Sequence, residues 1–448
     1  MYKIILAFRY LLKRHISYLA FSAVALCVFI VVVVMTVLTG LVSDFKQKNH
    51  SFVGDCVVGT ESLVGFAYYG DFVKILDKED FVEGVSEVIK NYALASSHGT
   101  GESISFEIMG IDPVRHSRVT GFAQTLHYRK NSVSSAFEPI YDSNLSGCVI
   151  GIDRMLLRDF NGRYSYEAVP NKIALAVSCF PLTATGALAK AGAGEVNTKT
   201  FYYSDTSHSG LAHEDFSLIY LPFEQAQQLC GMAGPIKRAS AIHIKFKSNV
   251  KLETGCKKVA LLWESFKQAR TGEERADLEK VTVQSWKGYR RAFIAAMEKE
   301  QTMLTVMFAL VGVTTVFIVF VVFYMIVSHK SRDIGILKSI GASRSDVIGL
   351  FSGFAFLVGL LGSGAGVLLG WVFLLKINRI EDWLYECFKF QLWDRTIYVI
   401  GDIPNQIEFR VLAVIVVSAI VACLAGAFVP SYQAARLEPV EALRVSRL

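Results

Sequence analysis

Of the 448 residues, 52% are hydrophobic and 19% charged, and the mean hydropathy is +0.39. So apolar a chain is not an ordinary soluble protein. The net charge of +6 also does not mark a nucleic-acid binder, because residues 42–302, the polar bulk, hold 30 basic and 30 acidic residues and balance to zero.

In chain order, residues 1–15 form a cytoplasmic N-terminal segment with Lys3, Arg9, Lys13 and Arg14 and no acid. The first charge-free run predicts transmembrane helix 1 at residues 16–41, too long for the 7–15 apolar residues or so of a signal peptide, and Leu26 before Cys27 disfavours a lipid-modified start. Residues 42–302 then read as an α+β domain. Strand-like runs occur at Cys56–Val64, Ser103–Ile111, Cys148–Ile152, Lys172–Cys179, Phe216–Leu221 and Ala239–Phe246, and helical patterns at Pro222–Cys230 and Leu252–Arg270. Its length predicts two subdomains, with about residues 114–235 inserted between the flanks. The small-residue stretch Phe180–Thr200 predicts a long protruding loop. Gln284–Gln301 reads as a helix running straight into transmembrane helix 2, residues 303–327, with only Gly288 interrupting it. Residues 328–346 form a short cytoplasmic loop, followed by helix 3 at 347–375, a short periplasmic loop at 376–410, helix 4 at 411–435 and a tail at 436–448. Each apolar run exceeds the ~20 residues needed to cross a bilayer.

Positive charge decides the orientation. Lys330, Arg332, Lys338 and Arg344 outweigh Asp333 and Asp346 in the 328–346 loop, and Arg436, Arg444 and Arg447 outweigh Glu438 and Glu441 in the tail, whereas Lys376–Arg410 carries five basic and six acidic residues. Both termini are therefore expected in the cytoplasm. The large domain is expected outside. Eight cysteines occur with no C-x-x-C pair; isolated thiols are the expectation, with one or two periplasmic disulfides as the alternative.

Catalytic motifs are missing. No G-x-x-x-x-G-K-[ST] loop is present to hold ATP, no G-x-S-x-G occurs, and His208 and His213 with Glu214 and Asp215 lack both the H-E-x-x-H spacing and a third ligand. No catalytic residue and no metal site is expected; the histidine cluster reads as a surface turn. The 328–346 loop is more informative. A helix from Arg332 to Ile340 would carry Ile334, Ile336, Leu337 and Ile340 in a short charged loop, so it requires an apolar partner, with the inner leaflet as the alternative. Gly341 would close it.

The run Arg332-Asp333-Ile334-Gly335-Ile336-Leu337-Lys338 resembles the coupling helix of ATP-binding-cassette permeases of the macrolide-exporter and cell-division superfamily. The tail from Pro430 through Ala434, Ala435, Arg436, Pro439 and Glu441 to Arg444 is similar to that superfamily's ending. Within it the lipoprotein-releasing permeases are the closest resemblance, on Phe8-Arg9-Tyr10-Leu11, Val37 to Leu41, Met109 to Pro113, Ser209-Gly210 before Phe216 to Pro222, and Ala296 to Glu300. The fold implied is an α-helical membrane protein with four transmembrane helices and a large α+β extracytoplasmic domain between helices 1 and 2.

The resemblance implies a multi-pass protein of the bacterial inner membrane that extracts lipoproteins and hands them to a periplasmic chaperone. Export through an outer-membrane channel and signalling to a cell-wall hydrolase are the alternatives. Implied partners are a cytoplasmic ABC ATPase dimer, which would carry the ATP and magnesium this chain is not expected to bind, and a second permease, the same chain or a paralogue. Arg332, Asp333, Ile334, Gly335, Ile336, Leu337, Lys338 and Gly341 would couple to the ATPase. Val34, Val37, Leu38, Met303, Val306, Val313 and Phe317 would line a cavity between facing permeases, in contact with membrane lipids. Phe180, Pro181 and Leu182 would bind the carrier. Three acyl chains of about sixteen carbons are held in a bilayer by on the order of 35–40 kcal/mol, so they must pass from one apolar environment to another.

Overall fold

The computed structural model describes residues 15–97, 103–157, 164–166, 172–180, 196–329, 331–388, 403–405 and 408–436. The chain divides into two compact units, one of residues 1–43, 296–393 and 402–448, the other of residues 44–295 and 394–401.

In the first unit, four helices are long and apolar enough to cross a membrane: His15–Val53, Arg291–His329, Arg344–Phe388 and Phe409–Arg436. They are called here the first to fourth spans. All overrun the charge-free windows. The third continues past residue 375 because Lys376–Phe388 contains neither proline nor glycine, and helix propagation is local while the edge of an apolar window only reports solvent. Glycines decide how the spans pack. On the third, Gly362, Gly366 and Gly370 recur every four residues and form one stripe, against which Val24, Val28 and Val32 of the first span are seated. A Cβ at Gly366 would lie 2.5 Å from the carbonyl oxygen of Ala25, and one at Gly426 of the fourth span 2.7 Å from that of Val316 in the second. Between apolar helices in lipid, close backbone approach and dispersion hold the bundle together. The first and second spans also touch, Thr315 Oγ1 donating to Cys27 Sγ at 3.0 Å.

The second unit is built on one sheet of nine strands. Its members are β1 (Cys56–Gly59), β3 (Val82–Ser97), β4 (Ser103–Ile111), β5 (Gly147–Gly151), β6 (Ala174–Cys179), β7 (Asn197–Ser207), β8 (Leu218–Pro222), β10 (Ala241–Phe246) and β11 (Thr282–Ser285); β2 (Phe66–Ala67) and β9 (Arg238–Ala239) pair separately. The order is β11-β1-β10-β3-β4-β8-β5-β7-β6, and β6 pairs back onto β3 through Leu94 to Ser97. Strands β3-β4-β8-β5-β7-β6 therefore close into a six-stranded barrel. Closure removes two edges.

The segment that the sequence predicts to be inserted supplies the contiguous strands β8-β5-β7-β6, and its flanks supply β11-β1-β10-β3-β4; neither part closes the barrel alone. The sixteen-residue β3 is the bridge: Val82 to Val88 pair with β10, while Leu94 to Ser97 pair with β6 on the same edge. Its two-residue alternation is broken at Val88 and Ile89, both fully buried, because the two side chains enter different cores on opposite faces. Sequence periodicity therefore does not announce β3.

The predicted helical run from Gln284 into the second span is also corrected. Thr282–Ser285 is a strand, Trp286–Tyr289 a separate short helix capped by Ser285 Oγ, and the long helix starts at Arg291. Pairing of β11 with β1 competes with helix and wins.

His116, on the helix Pro113–Val119, is buried with Nδ1 3.1 Å from Ser86 Oγ, its ring facing His243 of β10 at 5.8 Å. Burial pushes His116 down to about 3 and lowers His243 as well. Unfolded histidine takes up a proton near pH 6.5 while these cannot, so their contribution is intact above 6.5 and is lost as pH falls, by about 1.4 kcal/mol per pH unit for each. Asp215, pushed up to about 6 by burial, works in the opposite direction between pH 3.8 and 6. Comparing His116→Asn with the parent isolates the histidine: amide protection in β3 and β10, taken relative to the intrinsic exchange rate at each pH, should fall on going from pH 7 to 5 in the parent and respond less in the variant. Equal responses would refute the assignment.

Candidate coupling helix and lipid-facing surface

The candidate coupling segment forms a helix, Ser331–Ser339, followed by a left-handed residue at Gly341 (φ +105°), whose N–H donates to Lys338 O. The following helix starts with a reciprocal cap: Ser343 Oγ accepts from Asp346 N–H, and Asp346 accepts from Ser343 N–H and Oγ–H. This pins both ends of a four-residue connection. The apolar side chains do not share one face, as the sequence suggests. Ile334 is 2% exposed and joins the core of the span bundle, Gly335 is buried, and Leu337 and Lys338 are half-buried, with Lys338 Nζ donating to Ala435 O at 2.8 Å. Ile336 and Ile340 face outward at 43% and 80% exposure. One side holds the helix to the bundle and the other offers two isoleucines. The side chains of Arg332 and Asp333 lie outside the described residues, as do Pro181 and Leu182 of the carrier loop; Phe180 is exposed at the end of β6.

Met303, Val306, Val313 and Phe317 lie on an exposed strip of the second span together with Leu310 and Val321, each more than half exposed. The threonines there carry no free hydroxyl proton: Thr302, Thr305 and Thr314 donate to the carbonyls of Glu298, Gln301 and Val311. The strip is therefore apolar in effect as well as in composition. Val34, Val37 and Leu38 of the first span are half-buried instead, and Val37 packs on the bundle core. The apolar cleft of about 700 Å³ in this unit is lined by Phe21, Ala25, Phe29, Leu369, Phe373 and their neighbours, and by none of the seven expected cavity residues.

In the second unit, sequence reasoning missed the role of Glu214 and Asp215, taken for a surface turn. Both are buried. Asp215 accepts from Ser209 N–H, Ser209 Oγ–H and Gly210 N–H, closing the Ser209-Gly210 turn at Gly210 φ +73°. Glu214 meets Arg290 at 2.7 Å, and Arg290 Nε donates to Asn49 Oδ1 at 2.8 Å with Phe52 and Phe293 over its guanidinium. The carboxylate thus ties together the ends of the first and second helices inside this unit. The available signal was an Arg without a nearby acid in sequence and two acids in a strand-flanking turn.

Residues 305–439 match the model of the FtsX-like permease C-terminal family. The chain carries an FtsX-like permease domain. That domain takes in the outward strip from Val306 onward, the helix Ser331–Ser339 and the third and fourth spans. Over 162 residues the chain is 28% identical to the lipoprotein-releasing system transmembrane protein LolC of Xylella fastidiosa (strain 9a5c), covering 36% of this chain and 39% of that relative. The LolC of Neisseria meningitidis serogroup B is 28% identical over 38% of this chain and 41% of its own. The macrolide export ATP-binding/permease protein MacB of Hahella chejuensis is 29% identical over 34% of this chain and 21% of its own. The chain thus spans about two fifths of the length of the LolC relatives it matches. Among solved structures, the periplasmic region of MacB from Actinobacillus actinomycetemcomitans aligns at TM-score 0.30 and 10% identity, covering 55% of this chain and 95% of that one.

Proposed function

We propose that this chain is the permease subunit of an ATP-driven transporter that extracts lipoproteins from the bacterial inner membrane and hands them to a periplasmic carrier. The observation that carries this reading is the second-span strip, free of ionisable groups and with its threonine hydroxyls turned back on their own helix. Such a face accepts acyl chains at little net cost, whereas ions or polar solutes would leave their hydration there unreplaced. In one chain the strip has no cover, which supports a second permease, the same chain or a paralogue, facing it. The LolC relatives, whose names state lipoprotein release, support the cargo class. ATP and magnesium would be held by a separate cytoplasmic ATPase, engaged through the outward isoleucines, and the residues after Phe180 would meet the carrier.

The test is reconstitution in liposomes with the cognate ATPase. ATP should move a triacylated lipoprotein to a soluble carrier, and photo-crosslinkers placed from Leu304 to Phe320 should capture it with a period of ~3.6 residues. Transfer that ignores ATP, or adducts spread evenly around the helix, would refute the reading.

The coupling helix has its own expected result. Ile336→Asp and Ile340→Asp put a charge on the outward side and should leave the bundle folded while ATP-driven release falls at least tenfold, since an unpaired charge in an apolar contact costs several kcal/mol. Ile334→Asp should instead lower the yield of folded protein. Wild-type release by both outward variants would remove the helix from the coupling path.

A further inference from the structure

Two pairs of cysteines that are far apart in sequence meet inside the second unit. Cys179 ends β6 and Cys230 follows the helix Phe223–Leu229; their sulfurs are 3.7 Å apart and both side chains are buried. Cys56 lies on β1 and Cys256 on the helix Leu252–Gln268, and the two pack together in one core, Cys56 fully buried and Cys256 partly so. A disulfide needs sulfurs about 2.05 Å apart, so a side-chain rotation of under about 2 Å would close the first pair. We propose that Cys179 with Cys230, and Cys56 with Cys256, are two dithiol sites that close to disulfides by exchange with a protein dithiol–disulfide oxidant.

The exchange is balanced for each pair. One cysteine attacks as thiolate and breaks the oxidant's S–S bond, forming a mixed disulfide; its neighbour then attacks the newly bonded sulfur and releases the oxidant as a dithiol. The pair gives up two electrons and two protons, and the oxidant takes both. Cys256 is the half-exposed member of its pair, and the neighbouring Cys56 draws its thiol below the ordinary range, which suits it to attack first. The Cys179–Cys230 bond has a local consequence. It fastens the end of β6 to the end of helix Phe223–Leu229, where Asn197, the first residue of β7, already donates to Leu229 O at 3.1 Å. Both roots of the connection from β6 to β7 would then be held at one point, which on the proposed function is the connection that meets the carrier.

The decisive experiment uses the full chain, reduced in detergent, exposed to oxidised glutathione, then alkylated, digested and read by mass spectrometry. Cross-linked peptides Cys179–Cys230 and Cys56–Cys256 are expected, with Cys148, buried on β5, recovered as a thiol. Cys230→Ser should free Cys179 and leave the other bridge intact, and Cys256→Ser the converse. Alkylation of all four cysteines, or bridges to other partners, overturns the proposal. In whole cells Lys130→Cys, on an exposed residue, reports by impermeant maleimide which side the unit occupies. Labelling from outside with both pairs bridged supports the proposal, and labelling from outside with four free thiols overturns it. A shielded Lys130→Cys overturns the outward orientation instead, and the glutathione result then decides the pairing by itself.

Discussion

Replacing Glu214 by Ala is expected to destabilise the extramembrane unit by about 3–5 kcal/mol, the range for removing one partner of a buried ion pair. Arg290 would remain 7% exposed, between Phe52 and Phe293, with Asn49 Oδ1 as a neutral acceptor. A guanidinium cannot shed its proton to escape. Glu214→Gln keeps the shape and one hydrogen bond and should cost less. Denaturation of the detergent-solubilised chain would give the magnitude, and amide exchange its location: protection should fall first in residues 45–53 and 286–294, where both helix ends enter the same core through Phe45, Phe52, Val53, Trp286 and Ile294. If Glu214→Ala unfolds at the parent midpoint, the pair contributes nothing net and the tie between the helix ends is only apparent.

Gly366→Leu is expected to have the second large effect. The new Cβ would meet the Ala25 carbonyl oxygen at 2.5 Å and the Val28 Cβ at 2.8 Å, backbone and branched side chain that have no room to retreat. The first and third spans must then separate along the glycine stripe, at a cost of about 3 kcal/mol or more of packing. Gly312, with nothing within 4 Å of its Cβ position, is the control. Gly366→Leu should abolish monodisperse protein after detergent extraction, and Gly312→Leu should leave it unchanged. Equal behaviour of the two would mean that the stripe does not hold the bundle.

The sequence by itself determined four apolar helices, the polar unit between the first two, and the short helix between the second and third spans, because hydrophobic runs, charge asymmetry and helical periodicity are all local signals. It also placed β4, β5, β6, β8 and the helices at 223–229 and 252–268 within a few residues, β6 and the helices through a readable period and β5 and β8, buried on both faces, as short apolar runs. The tertiary structure decided what depends on two faces or two distant residues. Strand β3 is buried on both sides at Val88 and Ile89 and loses its alternation there, and with it went the barrel that unites the predicted subdomains. The Gly362, Gly366, Gly370 repeat was legible, but which helix it admits is a matter of packing. Ile334 and Ile336 are two residues apart on one short helix, yet one is buried in the bundle and the other exposed, because the Lys338–Ala435 contact and the capped turn at Gly341 fix the helix's rotation. Glu214 with Arg290, and Cys179 with Cys230, are 76 and 51 residues apart in the chain. Pairing across such separations leaves no mark on local composition, so only the folded backbone could bring those groups within bonding distance.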